Sequence, residues 1–182
     1  MSGQAQILWR RLDLPGHDAC RIWQDGDLRL LEGVAVWQDP QGPAHLAYHV
    51  AADSDWITRS VRLQGRVGAR DLTMSIHRNE SGEWRLNGEA LPDFTGLQDI
   101  DLGFTPATNT LPIRRLRQTR QDEASIAAVW LDTSDWALKR LPQTYRRTDA
   151  GWHYASPGFA ADLTVDADGF VTHYPDLWTK ED

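Results

Sequence analysis

Asp99 and Asp101 are the residues whose type and spacing come nearest to a catalytic pattern. Side chains two positions apart on a strand share one face and lie roughly 7 Å apart. A glycosidase uses two carboxyl groups about 5–9.5 Å apart, one as acid and the other as base or nucleophile. The spacing therefore permits hydrolysis of a glycoconjugate, but it equally suits a solvated strand face or a loop anchor.

Two opposite charges interrupt apolar rows of the predicted strands. Glu32 falls among alternate apolar residues, which are Leu28, Leu30, Val34 and Val36. Arg59 falls in a similar row, which comprises Ile57, Val61, Leu63 and Val67. Burying either charge alone costs several kcal/mol. We therefore predict that Glu32 and Arg59 either pair with each other or line a polar cavity.

A cluster of arginines follows a loop that contains two prolines. The cluster comprises Arg114, Arg115, Arg117 and Arg120. Guanidinium groups bind phosphates and acidic headgroups, although such a cluster can also be simply solvated. Asn109 lies in the loop, where its side chain can bond either the local backbone or a ligand.

Metal and covalent chemistry find little support in the sequence. His45 and His49 share a predicted strand face but would lie about 13 Å apart along it, too far for one ion. No glycine-rich phosphate loop, nucleophile elbow or Cys–His pattern occurs. We therefore predict no metal, no cofactor and no catalytic residue.

Short strands must position these residues, because apolar and polar residues alternate and turn residues interrupt them often. Residues 105–112 are predicted to be irregular because their prolines restrict the backbone. Residues 113–118 fit a strand or one helical turn, and we predict a strand. The pattern predicts a single all-β domain over residues 1–182, built as a barrel, roll or sandwich. The predicted strands are 28–37, 44–52, 56–67, 71–78, 83–86, 99–104, 113–118, 124–132, 143–148, 152–156, 159–166 and 170–174.

Composition narrows the setting and the partners. Cys20 is the single cysteine, so no internal disulfide can form, which fits a reducing compartment. The start of the chain lacks a secretory pattern, and its longest apolar run, residues 126–131, is too short to span a bilayer. These features predict a soluble cytoplasmic protein. A net charge of −7 disfavours nucleic-acid binding. The 9 tryptophans indicate either core packing or a concave site for sugars or acyl chains.

A more specific signal is the run DIDLGFTPATNTLPIRRL at residues 99–116. It resembles the signature of the bacterial "putative glycolipid-binding" family, formerly described only as a domain of unknown function. The resemblance extends over nearly the whole chain. Its other parts are residues 9–12, 31–33, 82–84, 143–147 and 165–175, together with Tyr48, Asp53, Trp56, Thr58 and Arg59.

The resemblance implies an antiparallel β-roll or open barrel, similar in outline to the periplasmic lipoprotein-localisation carriers, whose curved sheet shelters acyl chains. Those carriers are exported, whereas this chain shows no signal, so we expect an intracellular amphiphile. The expected function is non-catalytic binding of a glycolipid or another amphiphile in a tryptophan-rich cavity. Two alternatives stay open, a hydrolase using Asp99 and Asp101 and a partner-binding scaffold without a small ligand. The predicted ligand contacts are Glu32, Tyr48, Trp56, Arg59, Trp84, Asp99, Asp101, Asn109, Arg114, Arg115, Tyr145 and Arg147.

Overall fold

One long β-sheet dominates the computed structural model, which describes residues 4–181. Strands hold 62% of the residues and helix 9%, so the all-β prediction is confirmed. One α-helix, α1, spans Thr110–Thr119, and short 3₁₀ turns cover Pro92–Phe94 and Ala107–Asn109. The strands are β1 Ala5–Arg11, β2 Gly16–Asp25, β3 Leu28–Asp39, β4 Gly42–Ala52, β5 Thr58–Val67, β6 Arg70–Arg78, β7 Trp84–Leu86, β8 Glu89–Leu91, β9 Asp99–Leu102, β10 Glu123–Asp132, β11 Ala137–Arg147, β12 Gly151–Ser156, β13 Phe159–Val165, β14 Val171–Tyr174 and β15 Trp178–Lys180.

The two ends of the chain meet in the middle of the sheet. β1 pairs with β15, and from this seam successive hairpins run outward to β8 on one side and to β9 on the other. Neighbouring strands pair antiparallel, except that β9 and β10 are parallel.

The chain passes directly from one edge strand, β8, to the opposite edge strand, β9, so the sheet must roll up. Thr58 at the start of β5 holds the segment before β9, because its backbone N–H donates to the Gln98 carbonyl at 2.9 Å. Its hydroxyl also accepts a hydrogen bond from the backbone of Ile100 at 3.2 Å. The two edges do not pair as strands. An unclosed roll results, which confirms the predicted β-roll or open barrel.

The interior of the roll is filled by the segment that carries the family-like signature. Every residue from 104 to 113 is buried, and Leu116 on the next turn of α1 is buried as well. Trp37 stacks on Phe104, with ring centroids 6.0 Å apart, and Trp9 meets Phe170 edge to face at 5.7 Å. The tryptophans mostly pack in this core: seven of the nine are buried. Core packing is therefore the role that the structure shows for these seven tryptophans.

Residues 113–118 form most of helix α1, so the predicted strand is wrong. Pro112 lies in the first helical turn, where backbone N–H groups have no partner within the helix and proline is tolerated. Ile113 and Leu116, three residues apart, point the same way into the core. The proline-containing segment therefore ends in the first turn of a helix, although all of it was predicted to be irregular.

Candidate functional site

A groove of about 840 Å³ crosses the outer face of the sheet over strands β1 to β5. The outer face is the side of these strands that is turned away from the packed core. The floor of the groove is the backbone of inward-pointing residues, which are Ile7, Cys20, Gly33, Tyr48 and Leu63. Since these five residues are paired from strand to strand, the groove runs perpendicular to the strands.

One wall of the groove is apolar along most of its length. Leu8 pairs with Ala19, Ala19 with Val34, and Val34 with Ala47, so four neighbouring strands contribute one apolar row. Leu8 and Val34 are 44% and 47% exposed, which is high for such residues. The row ends at Gln64 on β5. Cross-strand neighbours lie about 4.8 Å apart, so the apolar wall is roughly 14 Å long.

The opposite wall is polar. Its members are Gln6, Arg21, Glu32, His49 and Arg62, which pair in sequence across β1 to β5. Arg21 and Glu32 form an ion pair at 2.5 Å, and the Arg21 guanidinium also stacks 4.5 Å from the centre of the Trp23 ring. Lys180 and Glu181 lie at the β1 end. The groove therefore offers an apolar and a polar wall side by side.

Beneath the groove floor lies a buried polar network. Asp18 is fully buried and accepts hydrogen bonds from the Tyr48 hydroxyl, at 2.9 Å, and from the Thr105 hydroxyl. Burial raises the pKa of the Asp18 carboxyl to about 6, although both hydrogen bonds oppose that shift. Thr105 belongs to the family-like signature, so part of that signature serves to tie the interior segment to the sheet.

The raised pKa of Asp18 predicts a pH-dependent stability. The unfolded carboxyl has a pKa near 3.9, so the native state binds this proton more tightly. Protonated Asp18 therefore stabilises the native state fully below about pH 4. This contribution is lost as the pH rises through about 6, which lowers the free energy of unfolding by roughly 3 kcal/mol. Asp18→Asn keeps a neutral side chain there. Urea unfolding at pH 4 to 7 should show the variant gaining roughly that much relative to the wild type as pH rises.

Asp149→Asn, which changes an exposed carboxyl in a turn, is the matched control for this pH series. Its stability relative to the wild type should stay nearly constant over the same range. A constant difference for Asp18→Asn as well would show that Asp18 does not carry a raised pKa.

The predicted ligand residues fall into several separate places, and the first is an internal ion pair. Asp99 is 2% exposed and receives both terminal nitrogens of Arg115, at 2.8 and 2.6 Å. Arg115 also donates to the Trp56 carbonyl at 3.4 Å. This bidentate pair joins helix α1 to β9. The two hydrogen bonds from Arg115 occupy both carboxylate oxygens of Asp99, which a hydrolase would need free for catalysis.

Trp56 also meets Arg114, the residue that precedes Arg115 in the same helix. Trp56 adopts a left-handed backbone with φ of 63°, just before β5, and not the strand conformation that we predicted. Its indole N–H donates to Gln118 at 3.1 Å, and the Arg114 guanidinium lies 4.8 Å from its ring centre. Arg114 also bonds the Asp168 carbonyl. These contacts fasten α1 to two surrounding loops.

Asp101 lies among tyrosines at the other end of β9. Gln143 donates to its carboxylate at 2.6 Å, and burial raises the pKa of Asp101 to about 6, with the Asp99 charge adding to the shift. Asn109 donates to the Tyr145 hydroxyl at 2.8 Å nearby. The two aspartates therefore do share the interior side of β9. They do not line the groove.

Of the two alternatives for Glu32 and Arg59, the one in which they pair with each other is wrong. Glu32 lies on the outer face with Arg21, while Arg59 bonds Asp53 at 2.7 Å on the inner side of β5. The strand β3 presents Gly33, Ala35 and Trp37 to the core, so the row that contains Glu32 faces outward. Glu32 and Tyr48 are the two predicted contacts that line the groove, from its wall and its floor.

The remaining predicted contacts lie elsewhere. Trp84 is 1% exposed and donates to the Leu97 carbonyl at 3.0 Å. Arg147 is an exposed residue beside Asp122. The sequence reasoning missed the groove residues Leu8, Ala19, Val34 and Ala47 because strand register, which aligns them, is not visible in a single strand. One signal was available in β3, where the large apolar residues Val34 and Val36 alternate with the small residues Gly33 and Ala35. That alternation allows the valines to face outward.

Within residues 4–181, no three histidine, cysteine, aspartate or glutamate side chains are grouped to hold a metal ion. The same part of the chain contains no helix with the length and apolarity needed to cross a membrane.

Comparison with known proteins supports one relationship. Residues 6–180 match a family described as "putative glycolipid-binding". A solved structure of a DUF1089 family protein from Pseudomonas aeruginosa is similar, with a TM-score of 0.75 and 29% identity, over 90% of this chain and 92% of that one. No curated protein matches.

Proposed function

We propose that this chain, which belongs to the family described as "putative glycolipid-binding", binds an elongated amphiphile in the outer-face groove. The observation that carries the proposal is the pairing of an apolar wall with a polar wall along one groove. An amphiphile can place its chain against Leu8, Ala19, Val34 and Ala47 while its polar groups reach Arg21, Glu32 and His49. Covering exposed apolar side chains supplies about 25 cal/mol for each Å² removed from water.

The proposed binding is non-catalytic. A glycoconjugate hydrolase would need Asp99 and Asp101 to face a bound sugar, yet Asp99 is held by Arg115 and both lie outside the groove. A scaffold without a small ligand gains no specific support, because the groove is already large enough for one. The buried, unpaired Cys20 supports a cytoplasmic location, which we propose as the setting for the ligand.

Placing a charge on the apolar wall should abolish binding. Val34→Asp puts a carboxylate where the chain would lie, so an uncharged alkyl ligand would have to desolvate it. Isothermal titration with dodecyl maltoside below its micelle concentration should show an affinity at least about tenfold weaker than that of the wild type. Lipid extraction and mass spectrometry of the purified protein would then identify the ligand that it retains.

Val36→Asp is the matched control, because Val36 lies on the same strand and face, is 45% exposed and does not line the groove. Its affinity should stay within about twofold of the wild type. Equal affinities for both variants and the wild type would refute binding in this groove.

A further inference from the structure

Charged residues lie in the middle of the groove and at both of its ends. Glu32 in the middle is neutralised by Arg21, and Glu181 at the β1 end is neutralised by Arg10 at 2.5 Å. Arg62, at the β5 end, forms no ion pair with any residue in the described range 4–181. The β5 end therefore carries an uncompensated positive charge, in a chain whose net charge is −7.

Polar side chains lie directly across from Arg62 on both neighbouring strands. His49 and Ser75 are its cross-strand partners on β4 and β6. Gln64 lies two residues along β5, at the position where the apolar wall ends. Both walls are thus polar at this end, and hydrogen-bond donors accompany the guanidinium without a carboxylate among them.

The opposite end differs in its apolar wall and in the presence of a carboxylate. Leu8 makes its wall apolar, and the Glu181 carboxylate lies there in its pair with Arg10, while Lys180 forms no ion pair within residues 4–181. A negatively charged group at the β1 end would meet the Glu181 carboxylate as well as Lys180, whereas at the β5 end it would meet the Arg62 guanidinium and neutral polar side chains. The unpaired cations favour an anionic ligand, and the carboxylate and apolar wall at the β1 end favour the β5 end as the place of its headgroup.

We infer that the groove takes an amphiphile with an anionic headgroup, held beside Arg62 at the β5 end, with its chain running along the apolar wall toward β1. This inference rests on the amphiphile binding proposed above. The recognised chemistry is a phosphate, sulfate or carboxylate on an alkyl chain, since guanidinium groups bind these anions with charge-assisted hydrogen bonds. A purely neutral sugar headgroup would leave the Arg62 guanidinium without an anionic partner.

Three alkyl probes of equal chain length separate the possibilities: dodecyl phosphate, dodecyl maltoside and dodecyltrimethylammonium, each below its micelle concentration. The wild type should bind the phosphate about tenfold more tightly than the maltoside, and the ammonium most weakly. The preference should shrink in high salt, because the Debye length falls from about 10 Å at 0.1 M to about 3 Å at 1 M. Inorganic phosphate alone should not displace the dodecyl phosphate. Displacement by it would show that the site recognises the anion alone and not the alkyl chain, contrary to the inference.

Arg62→Gln should remove the preference for dodecyl phosphate, so that the ratio of the phosphate and maltoside affinities measured on the variant falls to within about twofold of one. Arg66→Gln is the matched control, since Arg66 is an exposed arginine on β5 that lies outside the groove, and it should keep the preference. Equal binding of the three probes, or an unchanged preference in Arg62→Gln, would overturn the anionic headgroup. If Val34→Asp still abolished maltoside binding in that case, the amphiphile groove itself would stand. If Val34→Asp had no effect on any probe, both proposals would fail.

Discussion

Arg115→Met should lower the free energy of unfolding by about 3–5 kcal/mol, because it leaves the Asp99 carboxylate buried without its partner. The Asp99 and Arg115 side chains are 3% and 14% exposed and share two short hydrogen bonds, at 2.8 and 2.6 Å. Water cannot replace the lost guanidinium at such a site. Urea unfolding measured at pH 7 gives the change directly.

The double variant Asp99→Asn with Arg115→Met should cost much less than Arg115→Met alone, because no buried charge remains. Arg120→Met serves as the matched control, since Arg120 is an exposed arginine at the C-terminal cap of the same helix. We expect it to change stability by less than about 1 kcal/mol. If Arg115→Met also lowered the free energy of unfolding by less than about 1 kcal/mol, the ion pair would be unimportant for stability. A ligand-binding role for Arg115 would then be open again.

Trp84→Ala should also destabilise the protein by about 3–5 kcal/mol. Trp84 is 1% exposed on the short strand β7, and its indole N–H donates to the Leu97 carbonyl at 3.0 Å. Truncation leaves a cavity and removes one of the two side-chain hydrogen bonds to the Leu97 carbonyl, to which Arg78 also donates at 2.7 Å. For a chain of 182 residues this corresponds to a fall in Tm of roughly 10 °C, measurable by calorimetry.

Trp23→Ala is the control for the loss of Trp84, because Trp23 is only half-buried and lies on the outer face. It should cost less than half as much. A stable Trp84→Ala variant that had lost affinity for alkyl ligands would contradict the structural role and restore Trp84 as a ligand contact.

Strand parity could be predicted from the sequence only where the inward residues are larger and more apolar than the outward ones. β4 satisfies this condition, because its larger apolar residues Leu46, Tyr48 and Val50 alternate with smaller or polar ones and lie on the inner face. β3 does not, because Gly33 faces inward while Val34 faces outward. A Cβ at Gly33 would approach the Tyr48 hydroxyl to 2.3 Å, so the core requires a glycine there. Hydrophobicity alone therefore assigned β3 the wrong inner face.

The family-like signature showed which part of the chain matters but not what it does. Its Asp99, Thr105 and Asn109 each bond a residue distant in the chain, namely Arg115, Asp18 and Tyr145. Such long-range partners are set by the roll, not by local spacing. The same holds for the groove, whose apolar wall takes one residue from each of four strands. As ligand contacts, the predicted residues remain predictions, and the structure offers packing roles for most of them.

Photo-crosslinking tests the location of the ligand most directly. Dodecyl maltoside with a diazirine in its alkyl chain, bound and irradiated, marks the residues within reach of the chain. Peptide mass spectrometry should find adducts in β1 to β4, at or beside Leu8, Ala19, Val34 and Ala47, and Val34→Asp should suppress them. Adducts at Trp84, Asn109 or Tyr145 would instead place the chain inside the roll and contradict the outer-face groove.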